Sequence, residues 1–279
     1  MIRDEELVSF LQWALPRLGY RWRGYRKVRR QVKRRIAARL DELGLEGLEE
    51  YRRRLEAAPE EWKVLDELCW ITISRFYRDR QTWDRLRAEV LPRRAEAARR
   101  DGRDGRGMLR ALSVGCASGE EPYTLKLCWE LDEERPWEGL SLQVEAFDAA
   151  AHMVDRALRA RYAAGSLKEL PSGWVEQGFE ARDGMYELRE DLRRGVAFSV
   201  ADLREWEPAG GRRFDLIFCR NLAFMYFDEA GRRETLERLA EWTMPGGALV
   251  VGNHDVVPGG HGFSASGAPR ENLWIREES

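Results

Sequence analysis

The stretch from Leu109 to Leu125, LRALSVGCASGEEPYTL, constrains the fold of this chain more than any other. Its first part is apolar and predicts a buried strand, which stops at Gly115. A loop of small residues follows, and a helix begins close to Pro122, a residue suited to a first helical turn. Gly115 and Gly119 carry no Cβ, so a ligand can lie against the backbone of this loop.

The acids at the end of the loop indicate which ligand it suits. Glu120 and Glu121 would repel a pyrophosphate, and the loop lacks the GxGxxG and GxxxxGK[ST] patterns of nucleotide sites. A ligand with an ammonium and a sulfonium fits better. Leu142–Phe147 predicts a second strand, and Asp148 follows it, where a carboxylate accepts hydrogen bonds from both ribose hydroxyls. The order of a strand, a small-residue loop, a helix and a second strand followed by Asp148 predicts S-adenosylmethionine binding. The alternative is an ordinary glycine turn, with Asp148 capping the helix from Ala149.

Composition limits the classes of function. Of the 279 residues 34% are charged and 43% hydrophobic, and the formal net charge is −2, which predicts no general affinity for nucleic acid. No apolar run approaches the roughly 20 residues that span a bilayer, and MIRDEELVSF is too acidic for a signal peptide. We therefore expect a cytoplasmic protein without a membrane span. Widely spaced cysteines predict reduced, buried side chains and no metal site; they are Cys69, Cys116, Cys128 and Cys219.

The first part of the chain predicts short helices, one of them with a basic face. Apolar residues recur every three or four positions over Arg26–Leu40, so one side of this helix faces a core, and Gly44 ends it. Its other side is basic and predicts a binding surface for an acidic protein partner or substrate over Arg26–Arg39. Binding of nucleic acid is a weaker prediction. The alternative is that this face is only solvated. Leu45–Ala58 and Pro59–Ile73 predict two more helices. The basic residues are Arg26, Lys27, Arg29, Arg30, Lys33 and Arg34.

The next stretch predicts the boundary of this helical domain. Cys69–Leu86 mixes β-branched, aromatic and polar residues, which predicts an irregular segment whose polar groups can face a ligand. A helix over Gln81–Arg99 then leads to DGRDGRG, Asp101–Gly107, which is typical of a flexible linker. The expected parts are a helical domain over 1–85, a connecting helix and linker over 86–107, and a second domain over 108–279.

Helix and strand alternate beyond Asp148, which indicates an α/β fold with a parallel sheet. Ligands of such sheets bind at the carboxyl ends of the strands, where Gly115, Asp148, Asp202 and Asn221 all lie. The predicted elements are a helix over Ala149–Ala160, strands over Met185–Leu188, Val196–Val200 and Phe214–Asn221, a helix from Asp228 to Trp242, a PGG turn into the strand Ala248–Gly252, and an antiparallel edge strand over Asn272–Arg276.

Eight segments in this order resemble the CheR-type chemotaxis methyltransferases: RFYRD, SVGCASGEEPYTL, FD, SLKELP, ADL, FDLIFCRN, YFD and PGGALVVG. These enzymes use S-adenosylmethionine to methylate glutamate side chains of chemoreceptors. The resemblance covers nearly the whole chain, and GEEPY together with CRN…YFD is its most specific part. It implies a Rossmann-like class I methyltransferase domain, a small N-terminal all-helical domain whose basic helix touches the receptor, and a small β insertion at about Trp174–Arg194.

The resemblance also implies the cofactor site. By matching position, Glu120 takes the amino group of the methionine moiety, Asp148 the ribose and Asp202 the adenine. Asn221 lines the pocket for methyl transfer. The implied cofactor-binding set is Thr72, Ser74, Arg78, Gly115, Cys116, Ala117, Glu120, Asp148, Met153, Asp202, Leu203, Asn221 and Leu222.

Arg78 and Tyr226 are the implied catalytic residues, nearest the reacting carboxylate. A carboxylate is already ionised at neutral pH, so the reaction needs no general base, and the enzyme's task is alignment and desolvation. The chain departs from the family pattern at three places. Trp70, Thr72 and Ser74 replace a Thr-x-Asn-x-Thr, one extra residue separates CRN from YFD, and Gly252-Asn253-His254-Asp255 replaces Gly-His-Ser-Glu. Of the three histidines, His254 is the one to test, because it follows a strand end.

Three functions remain open at this point. The first is a carboxyl O-methyltransferase that acts on a protein glutamate. The second is a methyltransferase of the same fold for a small molecule or another protein atom, and the third is a non-catalytic S-adenosylmethionine-binding adaptor. We expect a monomer without a metal ion.

Overall fold

The computed structural model describes residues 2–101, 107–259, 262–266 and 272–277. They pack as two compact units. The first comprises Met1–Ile71 and Leu222–Glu234, and the second comprises Thr72–Asn221 and Thr235–Ser279. The change of unit at Thr72 comes before the predicted domain limits at 85 and 107. The predicted linker, Asp101–Gly107, lies outside the described residues except for its two ends.

The first unit is helical. Its helices are α1 Asp4–Ala14, α2 Trp22–Tyr25, α3 Arg29–Leu43, α4 Leu48–Ala57, α5 Pro59–Cys69 and α12 Ala223–Tyr226. Helix α3 buries Val32, Ile36 and Leu40 and ends at Gly44 in the left-handed conformation, as predicted. It begins at Arg29 and not at the predicted Arg26, because residues 26–28 form a turn after α2.

The second unit alternates helices and strands. Its strands are β1 Met108–Val114, β2 Ser141–Asp148, β3 Arg161–Tyr162, β4 Phe179–Arg182, β5 Met185–Leu188, β6 Val196–Val200, β7 Phe214–Cys219, β8 Thr243–Val251, β9 Phe263–Ala265 and β10 Leu273–Arg276. Its helices are α6 Arg80–Arg85, α7 Leu91–Asp101, α8 Glu120–Leu131, α9 Ala151–Arg159, α10 Trp174–Gly178, α11 Glu190–Arg193 and α13 Glu229–Trp242, which begins in the first unit. A π-helical turn, Leu86–Val90, joins α6 to α7. Among the described residues, no helix is long and apolar enough to cross a bilayer.

A seven-stranded sheet of order β6-β2-β1-β7-β8-β10-β9 forms the centre of the second unit. Its first five strands are parallel, and every residue of β7 is buried, as expected of a strand covered on both faces. Strand β10 is antiparallel to β8, as predicted for the tail. The prediction that this tail strand forms the edge was wrong, because the short strand β9 pairs with its outer side.

A second sheet contains three antiparallel strands in the order β3-β5-β4. It corresponds to the predicted β insertion, but it begins at Arg161, before the predicted limit at Trp174. Its first strand, β3, has only two residues, so no alternation of polar and apolar residues could mark it in the sequence.

Pro245, Gly246 and Gly247 do not form the predicted turn but lie inside β8. The pairing of β7 with β8 shifts register between Phe214 and Leu216, so the four residues 244–247 lie opposite the single residue Asp215 and form a bulge in the strand. A Cβ at Gly247 would lie 2.7 Å from the carbonyl oxygen of Met244, which only glycine avoids. The glycines therefore serve strand pairing and not chain reversal.

All four cysteines are buried and reduced, as the sequence predicts. Burial raises the pKa of the Cys69, Cys116 and Cys128 thiols. These side chains therefore stay protonated and pack as small apolar groups.

Candidate active site

The loop after β1 lies against the end of β2. The backbone N–H groups of Gly115 and Cys116 donate to the carbonyl oxygen of Phe147 at 2.9 and 3.0 Å. Gly115, Ala117 and Gly119 have left-handed φ angles of +68°, +47° and +86°. Such φ angles favour glycine, which explains Gly115 and Gly119; Ala117 adopts one despite its Cβ.

Packing inside the protein requires a glycine at position 119. A Cβ there would lie 2.9 Å from the Cβ of Ala157 in α9 and 3.2 Å from the ring of Phe198 in β6. The sequence interpretation, in which Gly119 leaves room for a ligand, is therefore corrected. The protein's own helix and strand occupy the space beside this residue.

Gly119→Ala is expected to lower stability more than Gly139→Ala. The two glycines have nearly the same φ, +86° and +84°, so each alanine adds about 1–2 kcal/mol of backbone strain. Gly139 has open space around it, whereas the new methyl at position 119 would overpack α9 and cost about 1–3 kcal/mol more. Urea unfolding of both variants measures the difference. Equal losses would mean that α9 moves aside freely.

Asp148, the last residue of β2, joins the loop to the start of α9. Its Oδ2 accepts the N–H of Ala117 at 2.8 Å, and its Oδ1 accepts the N–H of Ala150 at 2.9 Å. The helix-capping alternative was wrong, because Ala150 is the residue before α9 and the start of that helix has no side-chain cap; Asp148 forms a turn there and also holds the loop. Burial raises the pKa of Asp148, although the two N–H groups oppose the shift. An ionised carboxylate has about four acceptor positions, so two remain for ligand hydroxyls.

Glu120, the first residue of α8, is a buried carboxylate with only 3% of its surface exposed. The Ser118 hydroxyl lies 2.9 and 3.0 Å from its two oxygens, and the Ser166 hydroxyl donates to Oε1 at 3.2 Å. In the part of the chain that the structure describes, Glu120 forms no ion pair. A buried carboxylate without a cation is unfavourable, so this site fits the ammonium group of a ligand. S-adenosylmethionine carries such a group.

The third strand end carries Asp202. Val200 of β6 pairs with Asp148, and Asp202 follows two residues later. The Asp202 carboxylate forms an ion pair with Arg204 at 2.6 Å. Burial alone would raise the pKa of Asp202, but the hydrogen bonds and charge of Arg204 outweigh it and lower the pKa. Two predicted apolar residues of the site, Met153 and Leu203, are buried.

Asn221 follows β7 and has a left-handed backbone with a φ of +54°. The Oδ2 of Asp255 accepts the N–H of Asn221 at 2.9 Å and the N–H of Gly252 at 2.6 Å. Burial raises the pKa of Asp255 to about 6, although both bonds oppose the shift. The sequence interpretation favoured His254 at this strand end, but that side chain is exposed. The missed signal was an acid just after the end of β8.

Arg78 lies in a segment that is irregular over residues 70–79, inside the predicted limits Cys69–Leu86; the preceding helix ends at Cys69 and not at the predicted Ile73. Thr72 and Ser74 are half-buried in the same segment. The Nη1 of Arg78 donates to the carbonyl of Ile73 at 2.9 Å, and its own carbonyl accepts the Nη2 of Arg220 at 2.6 Å. Arg220 was not among the predicted site residues, although it belongs to the CRN segment. Nothing in the sequence pairs it with a residue 142 positions away.

Tyr226 and Leu222 belong to the first unit. Tyr226 ends α12, and its N–H donates to the Leu222 carbonyl at 2.9 Å. Its ring centroid lies 5.0 Å from that of Tyr25, and the side chain is buried. The location of these two residues relative to Arg78 and the cofactor residues stays a prediction.

Four neighbouring strands bring four of the predicted residues to one edge of the sheet. Strands β6, β2, β1 and β7 are parallel, so their carboxyl ends lie on the same side. Gly115 follows β1, Asp148 ends β2, Asp202 follows β6 and Asn221 follows β7. A small-residue loop with acids at the carboxyl ends of neighbouring parallel strands fits a Rossmann-like methyltransferase that uses S-adenosylmethionine.

The chain belongs to the CheR methyltransferase family. Residues 72–269 match the family described as CheR methyltransferase, SAM binding domain. Residues 5–68 match the family described as CheR methyltransferase, all-alpha domain. The Rossmann-like domain and the helical N-terminal domain implied by the resemblance are therefore confirmed.

Several curated relatives are similar over most of their length. A chemotaxis protein methyltransferase of Listeria monocytogenes is 32% identical over 70% of this chain and 70% of its own. Chemotaxis protein methyltransferase 2 of Vibrio cholerae is 32% identical, over 72% of this chain and 68% of its own. The chemotaxis protein methyltransferase of Salmonella typhimurium is 28% identical over 81% and 76%.

Proposed function

We propose that this methyltransferase transfers the methyl group of S-adenosylmethionine to the side-chain carboxylate of a protein glutamate, as in chemoreceptor methylation. The names of its relatives support a chemotaxis substrate. The observation that carries the proposal is Arg78, a guanidinium on an irregular segment whose backbone the protein holds in place. A guanidinium is the side chain best suited to orient a carboxylate.

The cofactor, when bound, supplies an electrophilic methyl group on a positively charged sulfur. We propose that Glu120 holds its ammonium group, that Asp148 holds the ribose hydroxyls and that Asp202 holds the adenine. The acceptor positions left on Asp148 and the absence of an ion pair at Glu120 in the described part of the chain support these roles.

Methyl transfer by this route is a direct displacement. A carboxylate oxygen of the acceptor forms a bond to the methyl carbon, and the electrons of the broken C–S bond stay on sulfur, which becomes neutral. A glutamate with an ordinary pKa of about 4.3 is already ionised at neutral pH, so no residue has to remove a proton. Arg78 would hold one carboxylate oxygen while the other attacks, and Tyr226 would orient the acceptor. Alignment of this kind can supply several kcal/mol of the barrier, roughly 7 at the lower end of measured effective molarities.

Incubation with methyl-labelled cofactor and a lysate of the source organism tests the proposal. A carboxyl methyl ester is labile to base, so we expect alkali to release the protein-bound label as volatile methanol. Label that resists alkali would indicate transfer to nitrogen or another atom, which is the second function left open by the sequence. Absence of any label, with cofactor binding intact, would favour a non-catalytic adaptor. A heat-denatured enzyme sample is the control.

We also propose that the basic residues before and on α3 bind an acidic protein partner or substrate. Arg29 pairs with Asp4, Arg35 donates to the carbonyl of Leu68, and Arg39 pairs with Glu61. By contrast, Arg26, Lys27, Arg30 and Arg34 are exposed and form no ion pair within the described residues. Exposed cations without internal partners support a docking role.

Reversing the charge of this strip, as Arg30→Glu with Arg34→Glu, is expected to weaken capture of an acidic acceptor protein. The loss should be larger at low salt, because exposed charges are screened over about 8 Å at physiological ionic strength. Pull-down of the acceptor labelled in the lysate experiment at several salt concentrations measures this. Arg53→Glu with Arg54→Glu on α4 is the control with the same change of charge. Equal capture by both double variants at every salt concentration would mean that the strip is only solvated.

Three further expectations stay predictions. They are a cytoplasmic location, a monomeric state and independence of metal ions. Among the described residues, no group of three His, Cys, Asp or Glu side chains is arranged to hold a metal ion.

A further inference from the structure

Arg220 is a buried guanidinium that contacts two other segments of the second unit. Its Nη2 donates to the Arg78 carbonyl at 2.6 Å and to Asp79 Oδ2 at 2.8 Å. Its Nη1 donates to Glu121 Oε2 at 3.3 Å. We call Arg220, Glu121 and Asp79 the Arg220 cluster. Only 8% of the Arg220 surface is exposed, so these contacts are shielded from water.

The Arg220 cluster is fixed to the sheet. Arg220 directly follows β7, and Glu121 lies in the first turn of α8. Glu121 Oε1 accepts the Ser113 hydroxyl of β1 at 2.7 Å. Burial raises the pKa of Glu121, and the charge and hydrogen bond of Arg220 oppose that shift. The cluster therefore connects β1 and β7, two central strands of the sheet, to the segment that contains Arg78.

That segment has an unusual backbone on both sides of Arg78. Tyr77 and Asp79 have left-handed φ angles of +53° and +63°, which residues other than glycine rarely adopt. Such conformations persist where the surroundings determine them, and they concentrate at functional sites. Here the Arg78 carbonyl accepts both Arg220 Nη2 and Trp83 Nε1, the latter at 3.0 Å. The N–H of Tyr77 donates to the Thr124 hydroxyl at 3.1 Å.

We propose that Arg220 is a positioning residue, which sets the place of the Arg78 side chain by holding the Arg78 carbonyl and the adjacent Asp79 carboxylate. The inference rests on the proposed role of Arg78 toward the acceptor carboxylate. The planar guanidinium of Arg220 donates hydrogen bonds from two nitrogens to three acceptors at fixed angles. The single ammonium group of a lysine cannot reproduce this arrangement. A positive charge at position 220 is therefore not sufficient to hold the segment around Arg78, and the planar guanidinium is required.

Arg220→Lys tests this directly, with Arg94→Lys as the matched control. Arg94 is also buried, pairs with Asp215 at 2.6 Å and, like Arg220, has no partner for its Nε among the residues that the structure describes. We expect Arg220→Lys to speed hydrogen exchange of the amides over residues 73–84 and not over 108–114. Arg94→Lys should leave the exchange of 73–84 unchanged. If Arg220→Lys folds poorly, Asp79→Asn removes one charge from the same cluster and should give the same local effect.

Turnover provides the second measurement. Arg220→Lys should lower kcat on the labelled acceptor by about 10²-fold, the scale of a misplacement of 1 Å, while KM for the cofactor stays within about twofold. Unchanged exchange over 73–84 would overturn the inference, and so would faster exchange spread evenly over the whole second unit. Local loosening by Arg220→Lys together with full activity of Arg78→Ala would support the positioning contact and refute the proposed role of Arg78. The two failures are thus distinguishable.

Discussion

Asp148→Ala is expected to weaken binding of S-adenosylhomocysteine by about 1–3 kcal/mol, the scale for losing hydrogen bonds to a charged group. The carboxylate lies at the end of β2 and has acceptor positions left after binding the N–H groups of Ala117 and Ala150. Its removal would leave ribose hydroxyls without acceptors and would also release the loop at Ala117. Titration calorimetry with the product, which is not turned over, measures the loss.

Two further variants separate these contributions. Asp148→Asn keeps one oxygen acceptor and should lose less affinity than the alanine variant. Asp155→Ala removes an exposed carboxylate from the next helix, α9, and should bind normally. An Asp148→Ala protein with the affinity of the wild type would exclude Asp148 from the cofactor site.

Arg78→Ala is expected to reduce turnover by about 10²–10³-fold, the usual effect of removing one group that stabilises a transition state. Product affinity should fall far less, because the proposed partner of Arg78 is the acceptor and not the cofactor. Steady-state kinetics with the acceptor from the alkali-release experiment gives the first number, and calorimetry gives the second.

Arg75→Ala is the control from the same segment. Its guanidinium is exposed and pairs with Glu169 at 3.0 Å, so it shares the surroundings of Arg78 without the proposed role. A loss of turnover as large as that of Arg78→Ala would point to a general disturbance of the segment. Tyr226→Phe, measured together with these variants, tests the predicted role of the Tyr226 hydroxyl in orienting the acceptor. Normal activity would remove Tyr226 from the mechanism.

The sequence predicted the parallel part of the sheet because its strands are apolar runs that end at recognisable small or acidic residues. Gly115, Asp148, Asp202 and Asn221 lie at strand ends, as expected, since that signal is local. The bulge at Pro245–Gly247 was misread, because Pro and Gly mark turns and bulges alike. The short strands β3 and β9 were missed because their few residues carry no periodic pattern.

Other parts of the site depend on contacts that no local pattern encodes. Asp255 binds the backbone of Asn221, 34 positions away, and Arg220 binds the backbone of Arg78, 142 positions away. Such pairs form only when strands that are distant in the sequence become neighbours. Gly119 shows a related difficulty, because its neighbours Ala157 and Phe198 come from later elements. The sequence therefore indicated which residues lie at strand ends more reliably than it indicated the contacts that they make.

The burial of all four thiols also affects how the protein can be handled and labelled. A thiol reagent requires an accessible thiolate, and Cys69 and Cys116 are both buried with raised pKa values. Modification therefore has to wait for the surrounding structure to open. Cys69 lies in the helical unit and Cys116 in the loop after β1. The labelling rate of each thiol therefore measures how fast its own region opens. No engineered probe is needed to time these events.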